Sequence, residues 1–88
     1  MITDFKTSFE RDIKKINDKN LFLQIEHVIE NIEEAKSLND IHHLKKLSGY
    51  KTFYRIKLSE YRIGLNIENE IVTLVRFLHR KDIYKTFP

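Results

Sequence analysis

The hydrophobic period of this chain changes once, near Phe53, and that change narrows the folds open to it. Before it, apolar residues recur three and four apart; after it, they alternate. Phe5, Phe9, Ile13 and Ile16 mark a first helical stripe. Asn17-Asp18-Lys19-Asn20 is a polar break, after which Leu21, Ile25, Val28, Ile29, Ile32 and Ala35 form a second stripe. Glu26, Glu30, Glu33 and Glu34 fall mostly off that stripe, giving an amphipathic helix with an acidic outer face. The polar faces are not cationic, so two packed helices are expected rather than a membrane-surface device. Ile2 to Phe5, ahead of them, reads as a short edge strand. Residues 37–52 are a basic connection in which Ile41, Leu44 and Leu47 dip toward a core and Ser48-Gly49 turns.

Beyond Phe53, Tyr54, Ile56 and Leu58 share one face of a strand while Arg55 and Lys57 share the other. Tyr61, Ile63, Leu65 and Ile67 alternate in the same way with Arg62, Gly64 and Asn66. Ile71 to Leu78 is an almost unbroken apolar run, which predicts a strand covered on both faces for much of its length. Helices first and strands afterwards predict an α+β fold: a short N-terminal strand, two packed helices, then a C-terminal, mostly antiparallel β-sheet.

At 88 residues the chain reads as a single domain, 1–88, with a thin core. No cysteine is present, which excludes a disulfide framework and a thiolate metal site and fits a reducing compartment. Met1 to Phe5 carries an acid and no basic leader, and no apolar run approaches membrane length. A cytoplasmic protein with no membrane partner is therefore expected.

Charge divides the chain. Residues 1–41 hold six basic and nine acidic side chains; residues 42–88 hold ten and four. A basic C-terminal half suggests a polyanionic partner, nucleic acid first, although a merely solvated face would look the same. Register sharpens the question. If Ser59-Glu60 is a two-residue turn, Lys57 lies directly across from Arg62, with Arg55 one step along and no acid on that face. Like charges opposed across a ladder repel. Either the side chains splay into water, screened over about 8–10 Å, or the face receives an anion.

The C-terminal end continues the pattern. With a two-residue Glu68-Asn69 turn, Thr73, Val75, Phe77 and His79 are expected on the face of Lys57 and Arg62. A histidine, Arg80 and Tyr84 at the rim of a cationic face are the groups that RNA phosphodiester cleavage needs. One group takes the 2′-hydroxyl proton, cations hold the phosphoryl oxygens, and an acid protonates the leaving oxygen. Tyr84 can also stack on a base, while Tyr84 and Phe87 read equally as packing anchors. His42-His43 has no partner carboxylate or cysteine at ligand spacing, so no metal is expected there, and no glycine-rich phosphate loop is present.

Four passages resemble the RelE/ParE superfamily of bacterial toxin–antitoxin toxins: Leu44-Lys45-Lys46-Leu47-Ser48-Gly49, Tyr54-Arg55-Ile56-Lys57, Tyr61-Arg62-Ile63 and His79-Arg80-Lys81-Asp82-Ile83-Tyr84. The resemblance implies a toxin neutralised by a small antitoxin, the pair contacting operator DNA together. In the RelE-like branch it implies a ribosome-dependent endoribonuclease that cuts messenger RNA in the A site, needing no cofactor or metal. Carried over by motif, Lys57 and Arg62 resemble the phosphate-stabilising cations. Arg80 resembles the arginine after the last strand, and Tyr84 the terminal tyrosine. Arg55 stands where that branch often has lysine, which directs attention to His79 for proton transfer, because a guanidinium keeps its proton. Lys45, Lys46, Lys51, Arg55 and Lys81 are the expected RNA-binding set. ParE-like relatives share the fold and inhibit DNA gyrase, and a degenerate member would act only as a co-repressor with its antitoxin.

Overall fold

The computed structural model describes residues 1–88. Its elements run β1 (Ile2–Phe5), α1 (Thr7–Ile13), α2 (Lys19–Glu34), β2 (Leu44–Lys46), β3 (Phe53–Leu58), β4 (Tyr61–Glu68), β5 (Ile71–His79) and α3 (Ile83–Thr86), with a 3-10 turn at Leu38–Asp40. The five strands form one sheet in the order β1-β5-β4-β3-β2. β1 runs parallel to β5 and the remaining pairs are antiparallel. This is the α+β architecture that the change of period predicts.

The polar break before α2 acts as its N-cap. The Asp18 carboxylate accepts the backbone N–H groups of Asn20 at 2.9 Å and Leu21 at 3.3 Å, two donors that the first turn leaves without partners. Leu21, Ile25 and Ile32 then bury their side chains, as the stripe requires. The helices lie on one face of the sheet. There Phe9, Ile25 and Ile32 pack with Ile56, Ile63, Leu65, Val72, Leu74 and Phe77 in one continuous core.

α1 also closes the edge of β5 where β1 has ended. Ser8 Oγ donates to the Val75 carbonyl at 2.6 Å, and the buried Asp12 carboxylate accepts the Phe77 N–H at 2.9 Å. Asp12 further receives the Arg76 guanidinium at 2.8 and 3.1 Å. The Arg76 pKa is raised, first by this hydrogen bond and further by the Asp12 charge, with desolvation opposing.

Three features depart from the sequence reading. Phe5 ends β1 as expected, but α1 stops at Ile13, short of Ile16 in the expected stripe, and is therefore a short helix. The connection contains a strand: Leu44, Lys45 and Lys46 pair with Ile56, Arg55 and Tyr54. Three residues are too few for alternation to register.

The third departure relocates His79. The β4–β5 turn is Asn69-Glu70, both at positive φ, with Glu68 opposite Ile71. Moving the turn one residue shifts the pairing by two, so Thr73 keeps the expected face, opposite Asn66. Between Gly64 and Leu65 the ladder skips, because Leu65 faces Leu74 while Gly64 faces Arg76. Val75 is the extra residue of a β-bulge, and every side chain after it changes face. Phe77 and His79 therefore lie on the helix side, opposite Ile63 and Tyr61.

Candidate functional site

The face turned away from α1 and α2 presents Phe53, Arg55 and Lys57 from β3 and Arg62, Gly64 and Asn66 from β4. The Ser59-Glu60 turn has the expected two-residue form, so Lys57 stands directly opposite Arg62. Lys45 on β2 lies opposite Arg55 and extends the cationic row to the sheet edge.

These cations are not equivalent. Arg62 is 9% exposed, and its guanidinium donates to the carbonyls of Ser59 at 3.0 Å and Tyr61 at 2.8 Å. Both carbonyls belong to the tight turn, so Arg62 is held rigidly at the end of the hairpin. Arg80 approaches the same turn from β5. Its N–H donates to the Glu60 carbonyl at 2.8 Å and its Nε meets the Glu60 carboxylate at 2.9 Å, with both side chains more than half exposed. Lys57 is exposed and makes no ion pair within the molecule. Lys57, Arg62 and Arg80 thus converge on one end of the sheet, with Glu60 as the acid among them.

Arg55 is partly engaged elsewhere, since its guanidinium donates to the His43 carbonyl at 3.2 Å. Lys46 is paired with Tyr54, off the cationic face, and remains exposed. Lys51 is exposed in the loop before β3, and Lys81 is exposed after β5. His79 is not brought to this face. Its ring packs edge-on against Tyr61 at 5.5 Å, and its Nδ1 accepts the Lys81 N–H at 3.1 Å, leaving the ring proton to Nε2 when the imidazole is neutral.

The chain end folds over the same open face. Ile83 and Phe87 are buried at 0% and 3% but belong to no part of the helix-side core. The Phe87 ring packs on Gly64 and meets Phe53 edge-on at 5.6 Å, and Phe53 meets Tyr50 at 5.7 Å. Phe87 is therefore an anchor, while Tyr84 on α3 is 55% exposed beside the cations' end of β5. Alternation alone gave no sign that Gly64 has a packing partner. A bare glycine between large aliphatic neighbours in a strand was the available signal. No group of three histidine, cysteine, aspartate or glutamate side chains is placed to hold a metal ion.

Comparison with known proteins finds relatives along almost the whole chain. Residues 4–84 match the family described as the ParE toxin of type II toxin–antitoxin systems. The chain is 36% identical over 85 residues to Toxin RelE3 of Methanocaldococcus jannaschii, covering 96% of each. Its fold superposes on the crystal structure of the RelB–RelE antitoxin–toxin complex of Methanococcus jannaschii with a TM-score of 0.81 and 34% identity, over 97% of this chain and 99% of that one. The fold also matches the YoeB dimer of Staphylococcus aureus, with a TM-score of 0.73 and 19% identity over 91% and 97%. A cationic sheet end built on this fold, in a chain with such relatives, belongs to a RelE-like member of the ParE toxin family, the toxins of type II toxin–antitoxin systems.

Proposed function

We propose that this toxin is an endoribonuclease that cuts messenger RNA on the ribosome and so stops translation. The observation that carries the reading is the opposition of Lys57 and Arg62, joined at the Ser59-Glu60 turn by Arg80. Two like charges face each other across a ladder, and a third is tethered beside them. A phosphodiester is the ligand that relieves that repulsion.

In the proposed reaction the RNA 2′-oxygen attacks the adjacent phosphorus, and the bond to the 5′-oxygen breaks. A 2′,3′-cyclic phosphate and a free 5′-hydroxyl result. The proton lost by the 2′-hydroxyl is matched by one delivered to the leaving oxygen. Arg62, pre-positioned by two carbonyls, and Arg80 hold the non-bridging oxygens where charge develops. Lys57 and the exposed Tyr84 phenol are the proton-transfer candidates. His79, on the other side of the sheet, shapes the turn into α3. Lys45 and Arg55 extend the phosphate track, and Lys46, Lys51 and Lys81 flank it. So small a face leaves most of the substrate to be positioned by the ribosome.

A cognate antitoxin, acting in the cytoplasm and bringing the pair to operator DNA, completes the reading; the antitoxin–toxin complex of the Methanococcus jannaschii relative supports the antitoxin partner. The test is to induce the isolated chain beside Lys57→Ala and Arg62→Ala, Arg80→Ala variants of verified fold. Codon-phased cuts in translated messages, lost in the variants, are expected. DNA damage with intact messages would overturn the reading in favour of gyrase inhibition, and a folded, non-toxic chain would leave only co-repression.

A further inference from the structure

The His42-His43 turn touches the site just described only through Arg55, yet side chains from two elements hold it. His43 lies at φ 63°, a left-handed conformation that non-glycine residues adopt at a cost. Two side chains hold it there. Asn31 on α2 accepts the His42 N–H at 2.9 Å and donates to the Asp40 carbonyl at 3.0 Å, while Arg55 donates to the His43 carbonyl at 3.2 Å. The nearby Asp40 carboxylate is turned back onto the N–H groups of Lys36 and Ser37.

This turn forms one wall of a cavity of about 190 Å³ between α2 and the outer edge of β3. His27, Gln24, His42, His43 and Lys57 line it, and no carboxylate does, although α2 is otherwise rich in glutamate. β2 stops at Leu44, opposite Ile56, so the edge of β3 at Lys57 and Leu58 is unpaired and open to this cavity. Every imidazole offers at least one N–H in any protonation state, and Lys57 and Gln24 add more donors. The lining thus offers N–H donors and one ammonium with no anionic group, in a space too small for the ~300–1,000 Å³ pockets of larger ligands. The imidazoles do not converge as metal ligands would.

We propose that this cavity is a second phosphate subsite, binding the RNA backbone one or more nucleotides away from the bond that is cut. Lys57 belongs to both sites and makes the two continuous around the β3 edge. The proposal rests on the ribonuclease reading and adds to it a direction for the strand, from the Ser59-Glu60 turn across Lys57 toward α2.

The probe is a short 2′-O-methyl RNA oligonucleotide, which cannot be cleaved, titrated into the isolated protein and followed by NMR. The variant is His27→Gln, His43→Asn; asparagine tolerates the left-handed conformation, so the turn survives. Shifts at His27, His42 and His43 are expected, with binding in the variant weakened about fivefold. Messenger cleavage by the variant should show a raised KM with kcat largely kept. Equal binding by both proteins, or shifts confined to Arg62 and Arg80, would overturn the subsite. Shifts at the three histidines with an acidic peptide and none with the oligonucleotide would also overturn it, in favour of a protein partner. If the unaltered protein cleaves no message, the ribonuclease reading falls, while the titration still decides the subsite.

Discussion

The ring of Phe87 rests directly on Gly64, so closely that a Cβ at position 64 would lie 2.7 Å from it. The contact ties the end of the chain to the middle of β4. A methyl group there forces the ring and the tail away. In a strand, alanine gains about 0.5–1 kcal/mol over glycine through backbone entropy, but overpacking costs about 1–3 kcal/mol. The clash wins, so Gly64→Ala is expected to lower stability in a denaturant titration. Adding Phe87→Ala should cost less in the Gly64→Ala background than in the native one, because the two share a contact.

Asp12 is the buried hinge between α1 and β5. Asp12→Ala strands both the Arg76 guanidinium and the Phe77 N–H. Because the Arg76 side chain is 25% exposed and water reaches it, a loss of about 2–3 kcal/mol is expected rather than the upper range for a sealed pair. Asp12→Asn keeps an acceptor and should lose about half as much. The Arg76 pKa is raised, so its share of stability is complete below the ordinary arginine value and fades only in strong alkali. Titration of Arg76 should therefore leave melting temperatures flat across neutral pH.

Glu60 holds Arg80 in water, not in the interior. Such a pair is worth about 0–1 kcal/mol, so Glu60→Ala should hardly change the unfolding midpoint. It removes the acid beside the cation cluster, however, and RNA binding should strengthen a few-fold at low salt and converge with the native value at high salt. Unchanged binding at every salt concentration would show that Arg80 does not meet the phosphate.

The change of face at Val75 separates His79 from the proposed chemistry. His79→Gln should leave single-turnover cleavage within about twofold, whereas Lys57→Ala or Tyr84→Phe should lower it by about 10²-fold or more. A comparable loss in His79→Gln would return proton transfer to the histidine.

Much of this was legible in the residues. The stripes from Phe9 to Ile32 and the alternation from Tyr54 to Ile67 are simple periods, and each placed its apolar members in the observed core. The Lys57–Arg62 opposition was legible because a two-residue turn admits one register. What escaped depended on backbone events without a period. β2 is too short to alternate, the Val75 bulge is one residue of ordinary valine, and the Phe87–Gly64 contact joins positions far apart in the chain. The His42-His43 turn was visible as a pair, but its support by Asn31 and Arg55 exists only once α2, β3 and the loop have come together.

Val75 has one more consequence. The last strand is read in two phases, and the bulge is the point where one gives way to the other. Deleting that single residue would restore an even ladder in which Arg76 follows Leu74 opposite Gly64 and Leu65, so Phe77 and His79 would stay beneath the helices and Arg76 and Leu78 on the open face. A relative with one residue fewer here would keep the same inner and outer residues on a regular strand. A relative that kept the residue but took it into an even ladder would exchange the inner and outer lettering of everything up to the chain's final arginine, while the sequence on either side looked unchanged.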